Sequence, residues 1–355
     1  MFLFRMRVLT LVVLYIFSLG ATSPTMSGTA VEKYIQKKLK RNDKILRINE
    51  KNLGDSGLAV LAQSPLVRSV RTLVLYKVQI SDEGVRELAE SPNLKNLQAL
   101  YLEHNFITDK GVEIISNSGT FSNLETLNLY HNQVTDAGAK AIAESDTLAQ
   151  LKELNLNYNL IKGPGAIELT RSSKLSQLNN IQLAYNPIEK DGKLAWKRFQ
   201  LMEWFKELHR NNKLNQVGEA LIGDFGVMVL LDFPFVSELE TLDLKNNDLT
   251  DEAVIALSQS KKLKGLVSLN LSQNNITDAG AQALGGSQYL ERLKVLNLNF
   301  NRIGDDGARA IAESPRLANL KSLKLGQNKI GSEGARALNE SENLQNLIHP
   351  IFGFY

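Results

Sequence analysis

A line of alternating leucines recurs along the chain at a fixed spacing. The stretch LETLNLYHNQVTDAG (124–138) returns as LVSLNLSQNNITDAG (266–280). The asparagine after each Leu-x-Leu pair, used here as a reference position, recurs every 27 residues in two runs: Asn105, Asn132, Asn159 and Asn186, then Asn247, Asn274, Asn301 and Asn328. Further steps of 27 add degenerate units with Lys51, Val78 and Ala220 at this position, which predicts eleven units.

The pattern within one unit predicts a strand followed by a helix. Apolar residues alternate through the Leu-x-Leu segment, as in a strand with one buried face. In GARAIAESPRLANL (307–320) the positions of Ala308, Ile311, Ala312 and Leu317 fit a short helix packed on that strand. The Asp before x-Gly is expected to accept backbone N–H bonds at the start of the same helix. The reference Asn is expected to bond backbone groups in the turn between units.

One unit is longer than the rest. Asn186 and Ala220 are 34 residues apart, seven more than 27. Seven residues make about two helical turns, so the expanded unit at 187–219 is predicted to contain a longer helix. Two interpretations of its apolar segment 193–212 stay open: the helix packs on its neighbours to fill a fault in the array, or it exposes a secondary interaction surface. That surface would consist of Trp196, Phe199, Trp204 and Phe205.

The units resemble the leucine-rich repeat family in its ribonuclease-inhibitor-like type. The resemblance covers residues 45–347 and implies an α/β leucine-rich-repeat solenoid, a horseshoe with parallel strands on the concave face and helices on the convex face. Residues 26–44 are predicted to form an N-terminal capping helix, and residues 348–355 a C-terminal cap. Because family members of this type mostly bind proteins, the resemblance implies a non-catalytic module that binds a partner protein on its concave face.

Composition excludes several other classes. The formal net charge is only +3, and the single locally basic run is at 32–44, which argues against a nucleic-acid partner. The absence of cysteine removes disulfides, thiolate metal sites and a cysteine nucleophile. The sequence contains no glycine-rich phosphate loop, no H-E-x-x-H and no evident Ser-His-Asp arrangement. No enzymatic activity, cofactor or metal is therefore predicted.

The first residues resemble a signal peptide. Residues 1–25 contain a basic start and an apolar run of about 13 residues, which is too short for a comfortable membrane helix. This pattern predicts an exported or secreted protein without stable membrane insertion of the mature chain. The alternative is a translation start at Met26, which would leave a cytoplasmic protein. Separately, a monomer is expected. Together with the eukaryote-like units and the lack of an added domain, the leader resembles the leucine-rich-repeat effectors that intracellular bacteria direct at host proteins.

The repeat does not fix the residue type at three positions of the predicted concave face, which lie four, two and one residues before the reference position. Aromatic residues concentrate at these positions in units two to six. Because Tyr is favoured at binding hot spots, they are predicted to bind a partner protein. The alternative is that Tyr is present because it suits the surface of a half-buried strand. His104 and His131 lack a third metal ligand and are expected to make pH-sensitive polar contacts. The predicted partner-binding residues are Tyr76, Tyr101, Glu103, His104, Asn128, Tyr130, His131, Asn155, Asn157, Tyr158 and Tyr185.

A regulator of a small GTPase is the alternative function. The Ran GTPase-activating protein is also an array of about eleven similar units, although this chain lacks its acidic tail. A helper of this kind needs only one polar residue beside the bound nucleotide, and Asn128, Asn155 and Asn157 are the candidates.

Overall fold

The computed structural model describes residues 25–348, which divide into two compact units. Residues 25–187 form the N-terminal array and residues 188–348 the C-terminal array. Both are solenoids in which helices alternate with strands of a parallel sheet, so the predicted α/β leucine-rich-repeat fold class is confirmed. Apart from Thr25 and Ile348, the predicted leader and the predicted C-terminal cap lie outside the described residues.

The described part of the N-terminal array contains six helices and six strands. The helices are Gly28–Leu39 (α1), Gly54–Gln63 (α2), Asp82–Ala89 (α3), Asp109–Asn117 (α4), Asp136–Ala143 (α5) and Gly163–Arg171 (α6). The strands are Ile45–Asn49 (β1), Thr72–Tyr76 (β2), Ala99–Tyr101 (β3), Thr126–Asn128 (β4), Glu153–Asn155 (β5) and Asn180–Gln182 (β6). They form one parallel sheet in chain order.

The described part of the C-terminal array contains six helices and four strands. The helices are Lys190–Arg210 (α7), Gly223–Asp232 (α8), Asp251–Gln259 (α9), Asp278–Gly286 (α10), Asp305–Ala312 (α11) and Ser332–Asn339 (α12). The strands are Thr241–Asp243 (β7), Ser268–Asn270 (β8), Val295–Asn297 (β9) and Ser322–Lys324 (β10), again in chain order within a parallel sheet. Where the preceding unit would place a strand, Gln216 makes only an isolated parallel bridge to Asp243.

Strand register repeats the sequence period. Leu100 of β3 pairs with Leu127 of β4, which pairs with Leu154 of β5, so equivalent positions stack from unit to unit. These leucines are buried, and the residues on either side of each one lie on the opposite face of the sheet. Burying a leucine contributes roughly 2 kcal/mol. The core of each array is therefore a continuous stack of apolar layers.

The reference asparagines satisfy the backbone of the turn between units. Asn132 is buried and donates through Nδ2 to the carbonyls of Leu102 and Leu129, at 3.0 and 3.1 Å. Its Oδ1 accepts from the N–H of Ile107 at 3.1 Å. Asn159 and Asn301 repeat this arrangement. Each amide thus ties its own strand to the unit before it, as the sequence predicts.

The prediction for the repeated aspartate is wrong in one respect. Asp109 does not cap its own helix α4. Its carboxylate instead accepts from the backbone N–H groups of Thr135 and Gly138 at 2.8 and 2.9 Å, and from the Thr135 hydroxyl at 2.6 Å, all in the next unit. In α3, α4, α5, α9 and α10 the N-cap is instead a hydroxyl, such as that of Thr135, which accepts from the N–H of Ala137. The aspartates therefore link successive helices.

This link explains the glycine two residues after each aspartate. A Cβ on Gly138 would lie 2.5 Å from Oδ1 of Asp109, so only glycine allows the carboxylate to approach the helix N-terminus this closely. In α9 the position is Ala253. There the Asp224 carboxylate accepts from the backbone N–H and from the hydroxyl of Thr250.

The longest helix is α7, which has 21 residues and begins the C-terminal array. Its Phe205 is fully buried against Phe233, with ring centroids 6.2 Å apart. Leu201, Met202 and Trp204 are half-buried against the core of the same array. None of the described helices combines the length and apolarity needed to cross a bilayer.

Replacing Asn132 with alanine is expected to lower the free energy of unfolding by about 3 kcal/mol, because it leaves several buried backbone groups without partners. Chemical denaturation followed by circular dichroism measures this loss. The control is Gln133→Ala at the exposed neighbouring position, which should change stability by less than about 0.5 kcal/mol. Equal losses from both variants would contradict the role of the amide.

Gly138→Ala is expected to destabilise the chain by about 2 kcal/mol, since the new Cβ collides with the Asp109 carboxylate and with Val134. Gly119→Ala is the matched control, because a Cβ at Gly119 meets nothing within 4 Å. A shared thermal midpoint for the two variants would refute the close approach at Gly138.

Candidate functional site

The predicted binding residues lie on the sheet face of the N-terminal array, opposite its buried leucines. In β2, Leu73 and Leu75 are buried while Val74 and Tyr76 are half-buried on the other face. The same alternation places Tyr101 and Asn128 on this face in β3 and β4. After each short strand the backbone pairing continues: the N–H of His104 donates to the carbonyl of Tyr130 at 3.0 Å. Successive units therefore bring equivalent side chains side by side.

The residue immediately before each reference position has a left-handed backbone. Its φ lies between 51° and 64° in all eleven units, and in none of them is the residue glycine. This conformation costs a bulky L-residue roughly 1–2 kcal/mol, and Asn tolerates it best among non-glycine residues. The residues are Glu50, Lys77, His104, His131, Tyr158, Tyr185, Glu219, Asn246, Gln273, Phe300 and Gln327.

Six of the predicted side chains form one continuous cluster of rings, named here the aromatic cluster. It consists of Tyr76, His104, Tyr130, His131, Tyr158 and Tyr185. His104 lies between Tyr76 and Tyr130, with both ring centroids at 5.2 Å, and stacks on His131 at 4.5 Å. Tyr158 contacts Tyr130 at 5.1 Å and stacks on Tyr185 at 4.1 Å.

The aromatic cluster is open to solvent at its C-terminal end. Tyr185 is 72% exposed and Tyr158 is 39% exposed. Two apolar residues missed in the sequence prediction extend this surface: Phe106 is 45% exposed and Leu160 is 53% exposed. Both come directly after a reference asparagine, where seven of the eleven units carry a polar residue such as Gln133. A large apolar residue at this position is the signal that would have identified them.

Tyr101 and the three predicted asparagines behave differently. Tyr101 is half-buried, and it makes no ring contact within residues 25–348. Asn155 accepts through Oδ1 from the N–H of Asn157 at 3.0 Å, and Asn157 accepts from the N–H of Ala184 at 2.7 Å. Asn128 accepts from the N–H of Tyr130 and donates to Glu103. These amides therefore help to hold the strand ends in place.

Glu103 occupies the position between Tyr76 and Tyr130 of the aromatic cluster in the neighbouring units. Its Oε1 accepts from Nδ2 of Asn128 at 2.8 Å, whereas its Oε2 is buried and has no hydrogen-bond partner in the described chain. Desolvation raises the pKa of the Glu103 carboxyl, although a backbone hydrogen bond partly opposes this. The pKa of His104 is lowered, first by desolvation and then by the charges of His131 and Lys77. Both effects favour the neutral form of His104.

The corresponding face of the C-terminal array is polar. Lys245 forms an ion pair with Glu219, with Nζ and Oε1 2.7 Å apart, and this partner lowers the pKa of Glu219. Asp243 accepts from Asn270 at 3.0 Å. Among the left-handed positions that the structure describes in this array, up to residue 348, only Phe300 is aromatic, and it is 52% exposed. The aromatic character of the face is therefore specific to the N-terminal array.

Two other predicted features have different outcomes. The proposed contact surface on α7 is wrong for Phe205, because this ring is packed in the core and cannot meet a partner. Trp196, Phe199 and Trp204 are half-buried. Within residues 25–348 no group of three or more His, Asp and Glu residues is arranged to hold a metal ion, and the pair His104 and His131 gains no third ligand.

Of the comparisons with known proteins, the match to a family model concerns the repeat. A family model described as "Leucine Rich repeat" matches residues 93–116, 122–143, 238–258, 266–285, 292–312 and 316–338. No curated protein matches the sequence. Two crystal structures from Listeria monocytogenes are similar to this chain, each at 19% identity. The alignment with an internalin (inlF) covers 93% of this chain and 90% of that one, with a TM-score of 0.26. The alignment with internalin C2 covers 83% and 82%, with a TM-score of 0.25.

The two histidines give a testable electrostatic prediction. Replacing His131 with glutamine removes a neighbouring charge and should raise the pKa of His104 part of the way towards its ordinary value of 6.5, while desolvation still holds it down. An NMR titration of the His104 ring measures the change. An unchanged pKa would contradict the coupling.

Because folding lowers the pKa of His104, the stability contributed by its neutral form is present above about pH 6.5 and declines as the pH falls towards the folded-state pKa.

Proposed function

Since this chain is a leucine-rich repeat protein, we propose that it is a non-catalytic module that binds a partner protein through the aromatic cluster of its N-terminal array. One observation carries the proposal: four large rings, those of His104, His131, Tyr158 and Tyr185, occupy left-handed backbone positions and remain on the surface.

The cost of these rings supports a functional role. A tyrosine in this conformation, such as Tyr158 or Tyr185, costs roughly 1 kcal/mol relative to a residue that tolerates it. The equivalent position in the C-terminal array is occupied by Asn246 in one unit and by Gln273 in the next. The scaffold thus forms without aromatic residues here. The left-handed backbone occurs in all eleven units and belongs to the scaffold, so it is the bulky aromatic side chain at this position, and not the conformation, that folding does not require.

The chemistry of the cluster suits a protein surface. Tyrosine combines a large apolar area with a polar hydroxyl and loses little side-chain entropy on binding. Tyr158 and Tyr185 stack on each other, so part of that entropy is already lost before binding. The exposed Phe106 and Leu160 add apolar area beside them. A preorganised apolar centre with polar edges is the usual composition of a binding hot spot.

We also propose that the partner is a host protein and that the chain is exported to reach it. This part of the proposal rests on the signal-peptide-like sequence and on the resemblance to bacterial effectors. The alternative role as a GTPase regulator gains no geometric support, because Asn128, Asn155 and Asn157 are engaged with their own backbone neighbours.

The test compares two variants of the full chain at equivalent structural positions. A partner is first cross-linked to the parent in a eukaryotic cell lysate, identified and purified, and its affinity is then measured by calorimetry. Tyr158→Ala with Tyr185→Ala should weaken binding at least tenfold, because truncating a hot-spot residue costs about 2 kcal/mol or more.

Phe300→Ala is the matched control, since Phe300 is an exposed aromatic residue with the same backbone conformation in the other array. It should leave affinity within about twofold of the parent. Circular dichroism must show that all variants are folded. If the double variant binds as tightly as the parent, the aromatic cluster is not the site. A loss confined to Phe300→Ala would move the site to the C-terminal array.

A further inference from the structure

The carboxylate of Glu103 indicates what the partner contributes at this surface. Glu103 lies on the strand end between those that carry Tyr76 and Tyr130: the N–H of Lys77 donates to its carbonyl, and the N–H of His104 donates to that of Tyr130. The rings of Tyr76, His104 and Tyr130 contact one another in sequence. A negatively charged group therefore lies among three rings whose π faces attract cations.

The second oxygen of this carboxylate is unsatisfied. Oε2 is buried without a hydrogen-bond partner, while Oε1 is held by Asn128. Leaving a charged acceptor buried and unpaired is unfavourable by more than the roughly 1–3 kcal/mol typical of a neutral group. A buried unpaired group of this kind, next to the proposed binding surface, would be satisfied by a donor from outside the chain.

The cations of this array do not supply that donor. Lys77 is near enough to lower the pKa of His104, yet no ion pair joins it to Glu103 in the described chain. His104 does not bond to this oxygen either, and desolvation together with the charges of His131 and Lys77 lowers its pKa and disfavours the imidazolium form.

We propose that Glu103 receives the guanidinium group of an arginine from the partner protein, with the rings of Tyr76, His104 and Tyr130 stacked around it. This inference rests on the proposed function. Arginine fits better than lysine for two reasons. Its planar group stacks on aromatic faces and is weakly hydrated. An ammonium needs several acceptors to replace its water, and only one carboxylate oxygen is unpaired here. Because Oε2 is covered in the free protein, one of the rings rotates aside as the arginine enters, a side-chain motion that is fast at a protein surface.

The probe is N-acetyl-arginine N-methylamide, titrated into the full chain with ¹³C-labelled tyrosine rings. The neutral isostere N-acetyl-citrulline N-methylamide is the control ligand. The arginine compound should shift the ring signals of Tyr76 and Tyr130 and bind at least about fivefold more tightly than the citrulline compound. Equal affinities of the two compounds would overturn the inference.

Two variants separate the charge of Glu103 from general electrostatics. Glu103→Gln keeps the shape and the acceptor for Asn128 but removes the charge, so it should abolish the preference for arginine. Glu153→Gln removes an exposed charge from β5 of the same sheet and should preserve it. A preference for arginine that survives in Glu103→Gln would also overturn the inference.

Binding of the purified partner distinguishes this inference from the proposed function. If the partner is weakened at least tenfold by the Tyr158 and Tyr185 variant and also by Glu103→Gln, both are supported. If only the tyrosine variant weakens binding, the arginine contact is wrong while the binding surface stands. If the tyrosine variant binds normally, the proposed function itself has failed.

Discussion

Backbone groups in the turn between units must find partners, and the rest of the structure depends on this constraint. A short strand followed immediately by a turn leaves carbonyl and N–H groups buried, where an unpaired group costs about 1–3 kcal/mol. The buried amide of Asn132 bonds to backbone groups of the preceding unit. The carboxylate of Asp109 accepts from backbone N–H groups at the start of the next helix. Both contacts cross between units, so one unit alone could not satisfy its backbone.

The same turn creates the opportunity for function. Bringing the amide of Asn132 into the core requires a left-handed residue just before it, and that residue projects its side chain to the surface. In the C-terminal array this position carries mainly polar residues, with Phe300 as the exception. In the N-terminal array four successive units place His or Tyr there, and the 27-residue register aligns their rings. The scaffold thus spaces the rings closely enough to stack, and only the choice of side chain differs between the arrays.

Periodicity in the sequence was sufficient for the strands, the helices and the asparagine contacts, because each depends on residue type at a fixed spacing. It could not show that Asp109 bonds to Gly138 of the next unit. A contact within one unit and a contact to the next unit both require the same residues at the same spacing, so the sequence pattern is identical in the two cases. The left-handed positions lack the glycine that would have signalled them. Helix α7 carries large apolar residues on several sides, so the sequence does not show which side faces the core. Phe205 was therefore wrongly placed on a contact surface. The unpaired oxygen of Glu103 depends on neighbours from three strand ends, which no local pattern reveals.

The most direct measurement is site-specific photo-crosslinking of the full chain in a eukaryotic cell lysate. A benzoylphenylalanine is placed at position 185, at the equivalent position 300, or at position 140 on the exposed side of α5. If the aromatic cluster binds the partner, position 185 yields one dominant cross-linked protein that positions 300 and 140 do not. Cross-linking of that protein only from 300 or 140, or equally from all three positions, would contradict a binding site on the N-terminal sheet.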